Sequence, residues 1–202
     1  MIVIIDYGMG NLRSVQKAFE RIKVPVLITS DKMAILKADK IVLPGVGNFE
    51  RGITNLKSNG LFDTLNEAVT ENKIPILGIC LGMQLMTEFS EEGNAEGFGW
   101  VKAKTKKFVF EKSGLKIPHM GWNNLLVKNN ESLFKGINEK NFFYFVHSYY
   151  VTCEDEIDVL AETNYGYKFV SAFNKGNIWG CQFHPEKSHD AGLTVLRNFT
   201  NL

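Results

Sequence analysis

The chain has 202 residues, 45% of them hydrophobic and 22% charged, with 23 Lys and Arg against 22 Asp and Glu for a net charge of +1. A balance this even excludes a domain built on one strong electrostatic field, whether for nucleic acid or for an anionic membrane surface. No apolar run approaches the 18 or so residues needed to span a bilayer.

A chain of this length suits a single domain, 1–202, able to bury roughly 70% of the surface its unfolded form exposes. It opens on MIVIIDYG, apolar at once and without a basic leader, which reads as a buried first strand rather than a signal peptide. The stretch NLRSVQKAFERI follows, with Leu12, Val15, Phe19 and Ile22 at helical spacing. Short apolar runs at 26–28, 40–43 and 74–79 read as further strands. Before the last of them, Leu61, Leu65, Ala68 and Val69 form a second helical stripe. Strands of near-continuous apolar character, alternating with helices, predict a doubly wound α/β fold with one mostly parallel sheet.

After residue 100 the character changes. WVKAKTKKF, KIPHMGWNNLLV, NFFYFVHSYYV, VLAET and KFVSAF are strand-like, with no long helix between them. The lysines of 102–107 alternate with small residues, as on a strand with one solvated face. AFNKGNIWGCQF reads as a hairpin turning at 174–177. An antiparallel extension of the sheet is therefore expected. AGLTVLRNFTNL closes the chain as an amphipathic helix with Leu193, Leu196 and Phe199 on one side.

Cysteines number three, Cys80, Cys153 and Cys181, with no C-x-x-C pair. Neither a disulfide framework nor a metal site is expected, and a reducing cytoplasm fits best. The N-x-[ST] triplets at Asn130 and Asn198 are read as chance matches.

One residue carries chemistry. Cys80 stands in GICLG, after an apolar strand and before GMQLMTEFSEE, which reads as a helix. That is the context of a nucleophile elbow, and a helix start behind a thiol favours the thiolate. A thiol at neutral pH needs a base as well. His184, in CQFHPEKS, follows another strand, and Glu186 two residues on is placed to orient it. Attack on a carbonyl also needs N–H donors for the developing oxyanion. Leu81, directly after the nucleophile, and Val46, between Gly45 and Gly47 in LPGVGNFE, are the candidates.

With these segments assembled, the sequence resembles the class I glutamine amidotransferases. PGVG, GICLGMQ and HPEKS match that family's motifs in order, and the likeness runs over residues 6–188. DYGMGNL, PHMGWN and FVHSYY narrow it to the glutaminase subunits of histidine biosynthesis. The resemblance implies a Cys80–His184–Glu186 triad hydrolysing glutamine to glutamate and ammonia, without metal or organic cofactor. It implies glutamine contacts from Gly47, Gln84 and Glu92, and from the backbone of His147, Ser148 and Tyr149. It also implies a second polypeptide, a (β/α)₈-barrel synthase that takes the ammonia to make imidazole glycerol phosphate and AICAR. Asn11, Ser14, Trp122, Tyr144 and Lys187 are expected at that interface. Subunits serving acetamidino-sugar synthesis in bacterial surface polysaccharides resemble the chain too, notably in FERGITNLKSNGLFDTL and GFGWVKAKTKKF. A non-catalytic docking module and a cysteine protease are the remaining readings.

Overall fold

The computed structural model describes residues 1–110, 114–128 and 132–202; Asn130 of the N-x-[ST] triplet falls outside them. The first half runs β1 (Ile2–Ile5), α1 (Leu12–Arg21), β2 (Val26–Thr29), α2 (Lys32–Leu36), β3 (Lys40–Gly45), α3 (Phe49–Ser58), α4 (Leu61–Asn66) and β4 (Ile76–Cys80). Then come α5 (Leu81–Leu85), β5 (Thr87–Ser90), β6 (Ala95–Glu96) and β7 (Val101–Lys107). The rest is β8 (His119–Asn124), β9 (Leu126–Val127), β10 (Phe142–His147), β11 (Tyr149–Cys153), β12 (Val159–Tyr165), β13 (Tyr167–Lys175), β14 (Ile178–Cys181) and α6 (His189–Thr200).

The main sheet has the order β2-β1-β3-β4-β14-β13-β11-β7-β5-β6, with β12 also pairing β13 and β9 pairing β12. Neighbours from β2 to β14 are all parallel, and β13 and β11 extend the sheet antiparallel. The expected architecture is thus present, with one refinement. The late strand β14 inserts beside β4, so the end of the chain returns to the parallel half. Side chains alternate across β1: Val3 and Ile5 join one apolar cluster with Phe49, Leu61 and Leu65. Ile2 and Ile4 join the other with Val15, Phe19, Leu196 and Phe199. Period-two alternation sends successive residues to opposite faces, and helices cover both.

Two helices escaped the sequence reading. Asp31 caps α2, accepting from Ala34 N at 2.7 Å, and Asn48 caps α3, accepting from Arg51 N at 3.0 Å. Each is an N-cap satisfying an otherwise orphaned N–H. The helix expected over GMQLMTEFSEE is corrected: α5 ends at Leu85 and β5 begins at Thr87. Its last carbonyls are claimed from outside. Gln84 O accepts the Thr87 hydroxyl at 2.8 Å, Leu85 O accepts Phe98 N, and Met86 O accepts Trp100 N. With those acceptors taken, no further helical turn forms.

A separate pair, β8 and β10, lies antiparallel, with His119 opposite His147 and Trp122 opposite Tyr144. That register, which brings opposed side chains together, builds part of the site and part of an exposed face. Among the described residues no helix is long and apolar enough to cross a membrane.

Candidate active site

Cys80 ends β4 in a backbone conformation of φ +54 and ψ −109, outside the regions that side-chain-bearing residues favour. Strain of this kind, about 1–3 kcal/mol, persists only where surroundings over-determine it, and it collects at active sites. The flanking glycines are what permit it. A Cβ on Gly82 would fall 1.7 Å from Leu43 O, and one on Gly78 would fall 2.7 Å from Met83 N. The elbow therefore presses against β3 and back onto its own helix, and only hydrogen fits at either flank. Because α5 has five residues, the positive end behind Cys80 is a first turn of free N–H groups, not the dipole of a long helix.

Parallel pairing puts Gly45 opposite Cys80, and Cys181 opposite Ile79. Segments following β3 and β14 thus converge on the thiol, at the carboxyl ends of parallel strands where open α/β sheets bind ligands. His184 Nδ1 lies 2.8 Å from Glu186 Oε1, and both side chains are 2% exposed. With Nδ1 donating to the carboxylate, Nε2 is the nitrogen left for Cys80. It is buried without a well-aligned hydrogen-bond partner, yet Cys80 lies close enough to act on the ring through both charge and hydrogen bonding. Burial alone pulls the imidazole's pKa down. The Cys80 thiolate and the Glu186 carboxylate outweigh it and raise the value to about 10. The imidazolium is therefore the stable form of His184. The backbone around His184 is fixed too: its N–H donates to Tyr144 O at 2.9 Å, and its carbonyl accepts the Ser188 hydroxyl at 2.6 Å.

A cavity of about 290 Å³ opens above Cys80. Val46, Gly47 and Leu81 form one wall, and Val146, His147, Ser148 and Tyr149 form another. Val46 is 40% exposed and Gly47 has φ +105, so the loop after β3 is open to solvent. Gln84 and Glu92 line the same cavity, but each is already engaged. Gln84 Nε2 donates to Tyr149 O and to Gln182 Oε1, both at 3.0 Å, which leaves only its Oε1 free. Glu92 Oε2 accepts Phe49 N at 2.8 Å, tying it to the first turn of α3. The volume suits a small polar amino acid.

The expected partner-facing residues also share a region. Trp122 is 47% exposed and stacks on His189 at 4.9 Å between ring centres. Tyr144 meets Trp122 edge-on, and Lys187 Nζ sits 5.6 Å from the Tyr144 ring centre. Asn11 caps α1, accepting from Ser14 N at 3.3 Å, and α1 rests against the turn that carries Lys187.

Sequence reasoning missed two buried groups. Gln182 lies under the thiol, its Nε2 3.6 Å from Cys80 Sγ. Alternation gave a signal: Gln182 shares parity with His184, while Cys181 and Phe183 point into the apolar cluster. His119 Nδ1 lies 3.0 Å from His147 Nε2. Here the only signal was PHMGWN, which says nothing of its partner. Among the described residues, no cluster of His, Cys, Asp and Glu is arranged to hold a metal ion.

Fold and site together define a doubly wound α/β protein with a thiol, an imidazole and a carboxylate gathered at a strand-end pocket. The chain belongs to the class-I glutamine amidotransferase family, whose pattern it matches over residues 3–201, and it is an enzyme of that type. It is 51% identical over 199 residues to the imidazole glycerol phosphate synthase subunit HisH 2 of Methanococcus maripaludis, covering 98% of each chain. It is 50% identical to the imidazole glycerol phosphate synthase subunit HisH 1 of Campylobacter jejuni, over the whole of both chains. In fold it is similar to the crystal structure of a glutamine amidotransferase, with a TM-score of 0.77 at 18% identity, covering 99% of this chain and 100% of that one.

Proposed function

We propose that the chain is the glutaminase subunit of an imidazole glycerol phosphate synthase, and that Cys80, His184 and Glu186 carry its chemistry. The observation that supports this most is the strained Cys80 elbow beside the buried His184–Glu186 pair, under a cavity of amino-acid size. Cys80 Sγ attacks the side-chain amide carbon of glutamine. The oxyanion takes N–H donors from Val46 and Leu81. His184, protonated at Nε2 and held by Glu186, gives its proton to the amide nitrogen, and ammonia leaves. Water then attacks the thioester, with His184 now accepting the proton, and glutamate is released. Gln84 Oε1 and the free oxygen of Glu92 face the amino-acid end of the substrate, together with Gly47 and the backbone of His147, Ser148 and Tyr149.

Ammonia is useful only if a second site receives it before water does. The relatives are named as synthase subunits, which supports a complex here. The receiving partner in this reading is a (β/α)₈ barrel that docks on the face of Trp122, Tyr144, Lys187, Asn11 and Ser14. Incubation with a glutamine-shaped chloromethyl ketone tests the assignment. A single adduct mapped to Cys80, prevented by glutamine, is the expected result. Labelling of Cys153 or Cys181 instead would overturn it.

A second reading keeps the chemistry and changes the pathway: ammonia supply to acetamidino-sugar synthesis. Relatives whose names carry the numbers 1 and 2 show that some organisms hold more than one such subunit, which leaves room for a second pathway. Rescue of a histidine auxotroph lacking its own subunit supports the first reading, and failure of a well-expressed chain to rescue supports the second.

A further inference from the structure

The sulfur of Cys80 has a neighbour that the triad leaves without a role. Gln182 is fully buried, and its Nε2 lies 3.6 Å from Cys80 Sγ. A side-chain amide can present either its oxygen or its NH₂ to a neighbour, so the assignment rests on what surrounds it. Here the surroundings leave one solution. The Tyr149 carbonyl can only accept, so the end of Gln84 that faces it at 3.0 Å is the NH₂. The same nitrogen faces Gln182 at 3.0 Å, so Gln182 turns its oxygen to Gln84 and its N–H to the sulfur.

The Tyr149 carbonyl is itself pinned. His147 Nδ1 reaches it at 2.7 Å and must carry the hydrogen. His147 Nε2 is then an acceptor, so His119 Nδ1 donates to it across 3.0 Å. His119 Nε2 is left as the acceptor facing Asn123 Nδ2 at 3.4 Å, and that amide also donates to Asn164 O at 3.0 Å. Both histidines are neutral in this arrangement. Burial lowers the pKa of each, His119 to about 4 and His147 to about 3. One directional chain of donors therefore runs from β8 through two imidazoles to the carbonyl on which Gln84 and Gln182 are oriented.

We propose that Gln182 is a further catalytic residue, donating its side-chain N–H to the Cys80 thiolate, with its orientation set by Gln84 and the Tyr149 carbonyl. A donor aimed at sulfur favours the anionic form and holds it in place for attack. Other groups act on the same sulfur or line its cavity: His184 with Glu186 behind it, His147, Tyr7, Cys181 and Glu92. His184 is the cation among them. Gln182 adds the neutral donor, from the strand that delivers His184. The inference rests on Cys80 being the nucleophile.

The test is the pH dependence of Cys80 alkylation by iodoacetamide in the full chain, read at the Cys80 peptide by mass spectrometry, for wild type and Gln182→Met. Hydrogen bonds to charged groups are worth enough that the variant should alkylate about tenfold more slowly at pH 7. Its midpoint should move to higher pH, and kcat for glutamine should fall with KM little changed. An alkylation rate and midpoint within twofold of wild type would overturn the inference while leaving Cys80 as nucleophile. Cys80→Ala with undiminished glutamate release would overturn the nucleophile instead. Should Gln182→Met not fold, the side-chain amide NMR signal of Gln182 in the native chain carries the test. It should titrate with the thiol, and a flat signal would show that no bond to sulfur exists.

Discussion

His184 Nδ1 and Glu186 Oε1 lie 2.8 Å apart with both side chains 2% exposed, and this pair fixes which imidazole nitrogen meets the thiol. Cys80 first and Glu186 second overcome burial and raise the imidazole pKa to about 10, so a proton donor is present throughout the physiological range. Glu186→Gln keeps a hydrogen-bond acceptor and removes the charge. Glutaminase kcat should fall by about 10² or more, as when a triad loses its orienting carboxylate. The alkaline limb of the rate profile should also move to lower pH, since the lost carboxylate was raising the imidazole pKa. A rate profile identical to wild type would contradict the role given to Glu186.

The same raised value bears on stability. Folded His184 binds its proton more tightly than the unfolded chain does, so its contribution is complete below about pH 6.5 and is lost as pH rises through about 10. The buried histidines act in the opposite sense. His147 is held neutral down to about pH 3, so below about pH 6.5 the unfolded chain binds more protons and stability falls with pH. Each unmatched proton contributes up to about 1.4 kcal/mol per pH unit. His147→Gln keeps a donor for the Tyr149 carbonyl and removes the titration. Urea melts between pH 7.5 and pH 5 should show a flatter dependence in the variant, and an unchanged slope would place the acid sensitivity elsewhere.

Gly82 tests the elbow. An added methyl would meet Leu43 O at 1.7 Å, backbone that cannot move without breaking the β3–β4 pairing. Gly82→Ala should lower unfolding stability by about 3 kcal/mol or more, or abolish folding. A melting temperature equal to wild type would show that the elbow tolerates a side chain.

Trp122 tests the proposed docking face. It is 47% exposed, stacked on His189 and set against Tyr144, as suits an aromatic anchor. Trp122→Ala should weaken binding of the proposed barrel partner about tenfold by titration calorimetry while Cys80 alkylation in the isolated chain stays unchanged. Binding unaffected by the substitution would move the interface off this face.

Much of this was legible in the sequence, for physical reasons that also mark where legibility ended. Buried parallel strands write themselves as apolar runs, and β1, β3 and β4 were found within a few residues of their true ends. Cys80, His184 and Glu186 were singled out because nucleophile elbows demand glycines and because Pro185 keeps His184 extended, and the structure sets His184 on Glu186 with Cys80 acting on the same ring. The helices α2 and α3 were not foreseen, since their caps at Asp31 and Asn48 look like ordinary loop residues. The early end of α5 depends on Thr87, Phe98 and Trp100 reaching its carbonyls, two of them from distant loop positions. The His119–His147 pair needs the β8–β10 register, which no local pattern encodes.

The most direct measurement is glutamate release from glutamine by the native complex, compared with the isolated chain and with a complex carrying Cys80→Ala. The account predicts release by the native complex, slower release by the isolated chain, and none above background from the Cys80→Ala complex. Undiminished release from the Cys80→Ala complex would contradict the central claim, because the nucleophile would then lie somewhere other than the strand-end elbow.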